Sequence, residues 1–76
     1  MKPDELKKAR RELGLSANEF ARVFGAHDGQ TVRAWEHGER NGLPTRIPRS
    51  IGILVALALE MPEARDWLLS RDEKQP

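Results

Sequence analysis

Apolar positions recur along this chain at the three- and four-residue spacing of amphipathic helices, and Leu6, Ala9 and Leu13 are the first example. No stretch alternates between apolar and polar residues as a half-buried strand would. Glycine and proline divide the helical pattern into short segments. We therefore predict an all-α fold of five helices, whose bounds with their caps are residues 3–13, 16–25, 28–38, 48–60 and 62–70.

The second and third predicted helices carry the clearest local signals. Ser16 and Glu19 have the spacing of a capping box, in which the side chain of each residue accepts the backbone N–H of the other. Asp28 is a good N-cap for the next helix, and a glycine follows each of the two helices. Two short helices joined by a glycine-containing turn are typical of a helix-turn-helix unit, at about residues 16–38.

The rest of the chain is predicted to be a loop followed by two more helices. Residues 39–47 should form a polar loop, because Asn41-Gly42 and Pro44 forbid a continuing helix. The charged tail, residues 71–76, is predicted to fray. The 76 residues suffice for one small domain, since folding at this size hides only about 60% of the unfolded surface.

Composition excludes several classes of function. The chain has no cysteine, which excludes disulfides, thiolate zinc sites and cysteine nucleophiles and fits a reducing, cytoplasmic setting. The longest apolar run, residues 51–59, would rise only about 13 Å as a helix, so we expect no membrane span. No serine–histidine–acid set, carboxylate pair or phosphate-binding loop indicates an enzyme, and His27 and His37 alone make no zinc site. We therefore expect neither a metal nor a cofactor.

Charge is distributed unevenly along the chain. Residues 1–50 hold ten Lys or Arg against seven Asp or Glu, whereas residues 51–76 hold three against five, for a net charge of +1. A basic first half is the modest asymmetry seen in nucleic-acid binders, although an ordinary solvated surface explains it equally well.

Between Leu13 and Gly38 the chain contains, in this order, Leu13-Gly14-Leu15-Ser16, Glu19-Phe20-Ala21, Gly25 and Thr31-Val32-Arg33-Ala34-Trp35-Glu36-His37-Gly38. In these residues it resembles the Xre/Cro, or lambda-repressor-like, helix-turn-helix family of small transcriptional regulators. The resemblance extends more loosely over residues 3–70 and implies a compact five-helix domain that binds double-stranded DNA.

On that resemblance, the third helix would read base edges in the major groove. Gln30 can pair with adenine, Arg33 with guanine or a phosphate, and Ala34 can touch a thymine methyl. Gly29 completes this base-reading set, although it stands where many relatives carry a larger side chain and it only lets the backbone approach closely. The preceding turn is one residue longer than is usual in the family, which leaves the tilt of the third helix open.

A second group of residues is expected to contact the DNA backbone. Ser16 and Asn18 lie at the start of the second helix, where a hydroxyl, backbone amides and the helix dipole favour a phosphate. For each residue of this group a solvated surface position is the alternative. The other expected backbone contacts are Thr31, Arg40, Asn41 and Arg46.

The resemblance also implies a structural ion pair. Glu36 would repel DNA phosphates if it were exposed, and in the family it pairs with an arginine of the first helix, here Arg10. Such a pair would tie the first helix to the third. The intact pair adds little net stability, but the loss of one partner costs a few kcal/mol.

The fourth predicted helix is apolar all round, which is typical of a helix that is buried on every side. A chain of this length can hardly cover both sides by itself. We predict a twofold homodimer, and the alternative is that the first and fifth helices cover everything. The residues expected at the dimer or partner surface are Gly52, Ile53, Ala56 and Leu57.

The function that these expectations favour is a dimeric, sequence-specific DNA-binding transcriptional regulator. It would be a repressor or autorepressor of a phage, mobile element or small operon that blocks polymerase at an inverted repeat. The alternative is an antitoxin or adaptor that binds a toxin or another protein through the fourth helix or the acidic residues 60–73. A module that has lost DNA binding is a third possibility, which Gly29 and Ala17 keep open.

Overall fold

The computed structural model describes residues 1–74, and it describes the side chains of residues 1–71. The helices of this range are α1 (Pro3–Glu12), α2 (Ala17–Phe24), α3 (Gly29–His37), α4 (Arg49–Glu60) and α5 (Pro62–Lys74). Two short antiparallel strands, β1 (Glu39–Arg40) and β2 (Leu43–Pro44), lie between α3 and α4. The predicted helical fold is therefore present, with a Cα radius of gyration of 12.0 Å, but the prediction that no strand forms was wrong.

The ends of α2 and α3 are determined by interactions within a few residues. The Ser16 hydroxyl accepts the Glu19 amide at 3.1 Å, and the Glu19 carboxylate accepts the Ser16 amide at 2.9 Å. The Asp28 carboxylate accepts the Thr31 amide at 2.8 Å. Each helix ends at a glycine in the left-handed conformation, where a Cβ would be strained. These boundaries confirm the caps predicted from the sequence.

The segment predicted as a loop contains a β-hairpin. Asn41 and Gly42 form its turn with φ angles of 54° and 80°, the positive values that a two-residue type I′ turn requires. Asparagine followed by glycine is the favoured sequence for this turn. The turn signal is thus visible in the sequence, but strands of only two residues show no alternating pattern that could have identified the hairpin.

Helix α5 is longer than predicted. It runs through Lys74, so residues 71–74, which were expected to fray, are helical. None of these four residues is a glycine or a proline, and nothing in the sequence therefore ends the helix there. Residues 75–76, the remainder of the predicted tail, lie outside the described residues.

All five helices contribute buried apolar side chains to one core. Phe20 and Phe24 stack on each other with ring centroids 4.5 Å apart. Trp35, which was expected in the core, is half-buried and packs against it. The side of α3 that carries Val32 packs against this core, and the opposite side of the helix faces solvent. The buried apolar residues are Leu6, Ala9, Ala17, Phe20, Ala21, Phe24, Val32, Ile51, Val55, Ala58 and Leu68.

Helix α4 is covered on one side only. Ile51, Val55 and Ala58 are buried, whereas Ile53 is 57% exposed and Leu57 is 40% exposed. Helices α1 and α5 therefore do not cover α4 completely. Within residues 1–74, no helix is long and apolar enough to cross a membrane.

Candidate nucleic-acid interface

The outer side of α3 is formed by residues three and four positions apart. Val32 is fully buried and Trp35 is half-buried on the inner side. Gln30 and Arg33 are exposed on the other side, and Ala34 beside them is half-buried. Their spacing puts these three residues on neighbouring parts of one helix face. The structure thus brings together three of the four residues that were predicted to read bases.

Gly29, the fourth residue of that set, is placed differently. It is buried where the N-terminal ends of α2 and α3 meet, and it lies against Asn18. A Cβ added at Gly29 would overlap the Asn18 side chain and come within 3.1 Å of the Asn18 backbone nitrogen. The absence of a Cβ at Gly29 therefore allows α2 and α3 to approach each other closely. The prediction that Gly29 reads a base was wrong, because a buried glycine offers no surface to a base.

The start of α2 lies beside the start of α3 and exposes two of the residues predicted to contact the DNA backbone. Ser16 and Asn18 are both exposed. The Ser16 oxygen accepts the Glu19 amide within the capping box. The Ser16 amide, and after it the Ser16 hydroxyl, hold the pKa of Glu19 below its usual value. The carboxylate of Glu19 is therefore engaged within α2.

Thr31 is less available to DNA than the sequence suggested. Its hydroxyl donates to Asp28 Oδ1 at 2.8 Å, the oxygen that also accepts the Thr31 amide. The amide hydrogen bond, followed by that of the hydroxyl, lowers the pKa of Asp28. A threonine hydroxyl carries one proton, so Thr31 can still accept a hydrogen bond but has none left to donate to a phosphate.

The hairpin is anchored to the C-terminal end of α3 by a residue to which the sequence analysis assigned no role. The Thr45 hydroxyl donates to the Ala34 carbonyl at 2.8 Å, and the Thr45 amide donates to the Gly38 carbonyl at 3.0 Å. This anchor holds the segment after α3 in place beside the helix. All three residues of the segment that were predicted to contact the DNA backbone are exposed: Arg40, Asn41 and Arg46.

The ion pair implied by the family resemblance is present and joins α1 to α3. Arg10 Nε donates to Glu36 Oε2 at 2.7 Å, and Nη2 donates to Oε1 at 3.0 Å. Nη1 donates to the Leu15 carbonyl at 3.0 Å. The two side chains are only 17% and 8% exposed. The hydrogen bond to Glu36 raises the pKa of Arg10 against the smaller opposing effect of burial.

A cationic cleft lies beside this ion pair and includes a residue that the sequence analysis did not assign to the site. Lys7 and Arg33 line the cleft together with Arg10, Glu36 and His37, and its volume is about 460 Å³. Lys7 lies three residues before Arg10, so the two side chains occupy neighbouring parts of α1. That spacing is the signal that could have identified Lys7.

The carboxylates around α3 accept hydrogen bonds or lie next to a basic side chain, whereas three of the arginines there form no ion pair with the described side chains. Glu39 Oε1 lies 3.7 Å from Nε2 of His37, and the other carboxylates are those of the two N-terminal caps and of the buried ion pair. Among the side chains of residues 1–71, no carboxylate lies within ion-pair distance of Arg33, Arg40 or Arg46. Arg33, Arg40 and Arg46 are therefore exposed cations without an ion-pair partner among these side chains, and the charge of Arg40 acts on Asp28 from a longer distance.

Comparisons with known proteins find no match to this chain, either among models of protein families, among curated proteins or among solved structures. In the described part of the chain, no group of three or more histidine, aspartate or glutamate side chains is arranged to hold a metal ion.

Proposed function

We propose that this protein is a sequence-specific DNA-binding regulator and that α2 and α3 form its helix-turn-helix unit. The observation that carries the proposal is the exposed polar side of α3, with Gln30 at its centre, on a helix that the core and the Arg10–Glu36 pair support from behind. An α-helix of this kind fits the major groove of DNA. Arg33, Arg40 and Arg46 on and around this helix form no ion pair with the described side chains, and their positive charges favour a polyanion as ligand.

In the proposed complex, α3 enters the major groove with its N-terminal half. The Gln30 amide pairs with adenine N6 and N7, and Ala34 contacts a thymine methyl. Ser16 and Asn18 at the start of α2 bind a phosphate of the groove wall, to which helix N-termini are attracted. The hairpin, through Arg40 and its neighbours, follows the backbone on the other side of α3.

We further propose that two chains associate through the exposed apolar side of α4. Ile53 and Leu57 are exposed there, and Gly52 and Ala56 are small enough to let a second helix approach closely. A twofold dimer would place two α3 helices at half-sites about 34 Å apart, one turn of DNA. Bound to an inverted repeat that overlaps a promoter, such a dimer would block polymerase.

Selection of duplexes from a random-sequence pool, followed by fluorescence anisotropy on the enriched duplex, tests the proposal. We expect an inverted repeat to be enriched and to bind about a thousandfold or more tightly than its shuffled version. Two chains should bind each site. If the folded protein binds no duplex, or binds all duplexes equally, the proposal of a sequence-specific regulator is wrong.

A substitution at the centre of the proposed interface tests the role of α3. Gln30→Ala should weaken binding to the selected duplex by roughly 1–3 kcal/mol and relax the preference at one base pair in each half-site. Glu63→Ala, an exposed position on α5, is the control and should leave binding unchanged. An equal loss on selected and shuffled duplexes would show that Gln30 does not read a base.

A different observation favours a second function, that of an antitoxin or adaptor whose main role is to bind another protein. Helices α4 and α5 expose large apolar side chains, including Ile53 at 57%, Met61 at 49% and Trp67 at 60%. Analytical ultracentrifugation of the purified chain separates the two functions. A stable dimer favours the regulator, whereas a folded monomer that binds no DNA favours the protein-binding module.

A further inference from the structure

The cleft between α1 and α3 is lined by two cations that form no ion pair with any described side chain. The charges of Arg10 and Glu36 cancel, because both carboxylate oxygens accept from the guanidinium. The His37 ring lies next to Glu39. Lys7 and Arg33 also line the cleft, and within the described side chains neither has a carboxylate at ion-pair distance.

A phosphate group fits this arrangement of donors. The guanidinium of Arg33 offers a planar fork that suits two phosphate oxygens, and the ammonium of Lys7 offers a compact charge with rotatable donors. Two like charges at one small cleft repel each other, and a shared anion removes that repulsion. The Arg10–Glu36 ion pair also lines the cleft, and it joins the two helices that carry Lys7 and Arg33.

The position of the cleft indicates the source of the phosphate. Arg33 lies three residues after Gln30, so the cleft opens at the edge of the α3 face that would enter the major groove. The walls of that groove are rows of backbone phosphates. A helix seated in the groove therefore brings the cleft next to a phosphate of the groove wall.

We propose that this cleft binds one phosphate of the DNA backbone in each half-site, with Lys7 and Arg33 as its ligands. The inference rests on the proposed function and adds α1 to the DNA-binding surface. It also moves Arg33 from reading a base to positioning the helix on the backbone. Base reading is then left to Gln30 and Ala34, and a larger share of the affinity is independent of sequence.

Two neighbouring lysines of α1 provide a matched test. Lys7→Ala and Lys8→Ala remove the same charge, but Lys8 lines a different cleft, with Glu12 and Leu59. We expect Lys7→Ala to weaken binding to selected and shuffled duplexes by the same factor, about five- to tenfold at 0.1 M salt, and to lower the logarithmic salt slope by about 1. Lys8→Ala should change neither quantity. Equal effects of the two substitutions would overturn the inference.

Uncharged methylphosphonates, placed singly along the selected duplex, locate the contact. Each methylphosphonate that replaces a contacted phosphate should weaken binding of the unsubstituted protein. At one of these positions in each half-site the loss should be clearly smaller with Lys7→Ala, because only the Arg33 contact is left to lose there. Losses that simply add at every position would overturn the inference.

Arg33→Ala separates failure of this inference from failure of the proposed function. We expect an equal loss on selected and shuffled duplexes, with the base preference unchanged. A change of preference at one base pair would overturn the phosphate role of Arg33 and leave the DNA-binding function standing. If the unsubstituted protein binds no DNA, both proposals fail. Circular dichroism should show unchanged helicity for the Lys7 and Arg33 variants, since both side chains are exposed.

Discussion

Helices α3 and α4 share one core but present opposite surfaces to solvent. The outer side of α3 is polar, and the helix begins at the Asp28 cap and ends at a glycine. The outer side of α4 is apolar, and this helix begins at Pro48 with no side-chain cap and no acidic residue in its first turn. Helix α3 therefore buries its apolar side within a single chain, whereas α4 still exposes apolar side chains to solvent.

This difference fits the two partners that we propose for the two sides of the domain, DNA at α3 and a second chain at α4. A polar helix that is supported from behind keeps its shape when it meets a hydrated, charged ligand such as DNA. An exposed apolar helix side gains free energy when it is covered by another apolar surface, for example that of a second chain.

Removal of the charge of Glu36 should have the largest effect, because it takes away the support behind α3. Glu36→Gln leaves the partly buried Arg10 without its carboxylate, which should lower the free energy of unfolding by about 2–3 kcal/mol. Urea denaturation measures this loss. The exposed pair offers the control, since Glu39→Gln should change stability by at most about 0.5 kcal/mol. Equal losses would mean that burial of the Arg10–Glu36 pair is unimportant.

A substitution on the outer side of α4 should change the association of two chains rather than the stability of one chain. Leu57→Asp introduces a charge at an exposed apolar position and should weaken dimerisation by roughly 2 kcal/mol, with little change in the stability of the monomer. Sedimentation equilibrium measures the association. Leu43→Asp, on the hairpin, makes the same change at a leucine that is 70% exposed and should leave the dimer intact. A Leu57→Asp protein that stays dimeric would place the interface elsewhere.

The close approach of α2 and α3 at Gly29 should give a smaller effect. Gly29→Ala introduces a Cβ that overlaps the Asn18 side chain, and this overlap outweighs the better helix propensity of alanine for a net loss of about 1 kcal/mol. In an Asn18→Ala background the loss should be smaller, because the overlapping atoms are gone. A double-mutant cycle measures the coupling. If the two changes simply add, the contact has no energetic role.

The charged N-cap of α3, Asp28, should make the smallest contribution to folding stability, and it should do so only at pH values where its carboxylate is ionised. The folded state lowers the pKa of Asp28, so its carboxylate stabilises the protein above the ordinary aspartate pKa of about 3.9. This stabilisation is lost as the pH falls through the lower, folded value. Asp28→Asn keeps a good cap but does not titrate, so its stability difference from the unsubstituted protein should shrink between about pH 5 and pH 2.

Thermal unfolding at several pH values checks this prediction. Asp66→Asn on α5 removes the same charge at a position that caps no helix, and it serves as the control. If the Asp28→Asn difference is as large at pH 2 as at pH 7, the carboxylate does not act through its charge.

Features that depend on residues close in sequence could be predicted, and features that depend on helix crossing could not. The caps at Ser16 and Asp28 use bonds that span three residues, so the sequence predicts them directly. The burial of Gly29 and the position of Lys7 beside Arg33 arise where different helices meet. No local pattern shows the burial of Gly29, and the spacing of Lys7 and Arg10 points to Lys7 only once the contact of Arg10 with α3 is known. The Arg10–Glu36 pair was predicted through a family resemblance, which carries information about crossing helices.

The hairpin and the exposed side of α4 lie between these two cases. Asn41-Gly42 is a strong turn signal, but it indicates a hairpin only when strand patterns flank it. The apolar pattern surrounds α4, and in the structure Ile51 and Val55 are buried on one side whereas Ile53 and Leu57 are exposed on another. Which of these two sides the rest of the chain would cover could be learned only from the packing of α1 and α5.

The Arg10–Glu36 pair also has a consequence for the order of folding. Its two residues are 26 positions apart, and the segment between them contains all of α2 and most of α3. Contacts within that segment are local, so they form before the entropic cost of closing the larger loop is met. We expect α1 to dock on α2 and α3 after these two helices have packed together and, during unfolding, to detach before they separate. Amide hydrogen exchange in α1 should accordingly be faster than in α2, by way of a partly open state that costs less free energy than global unfolding.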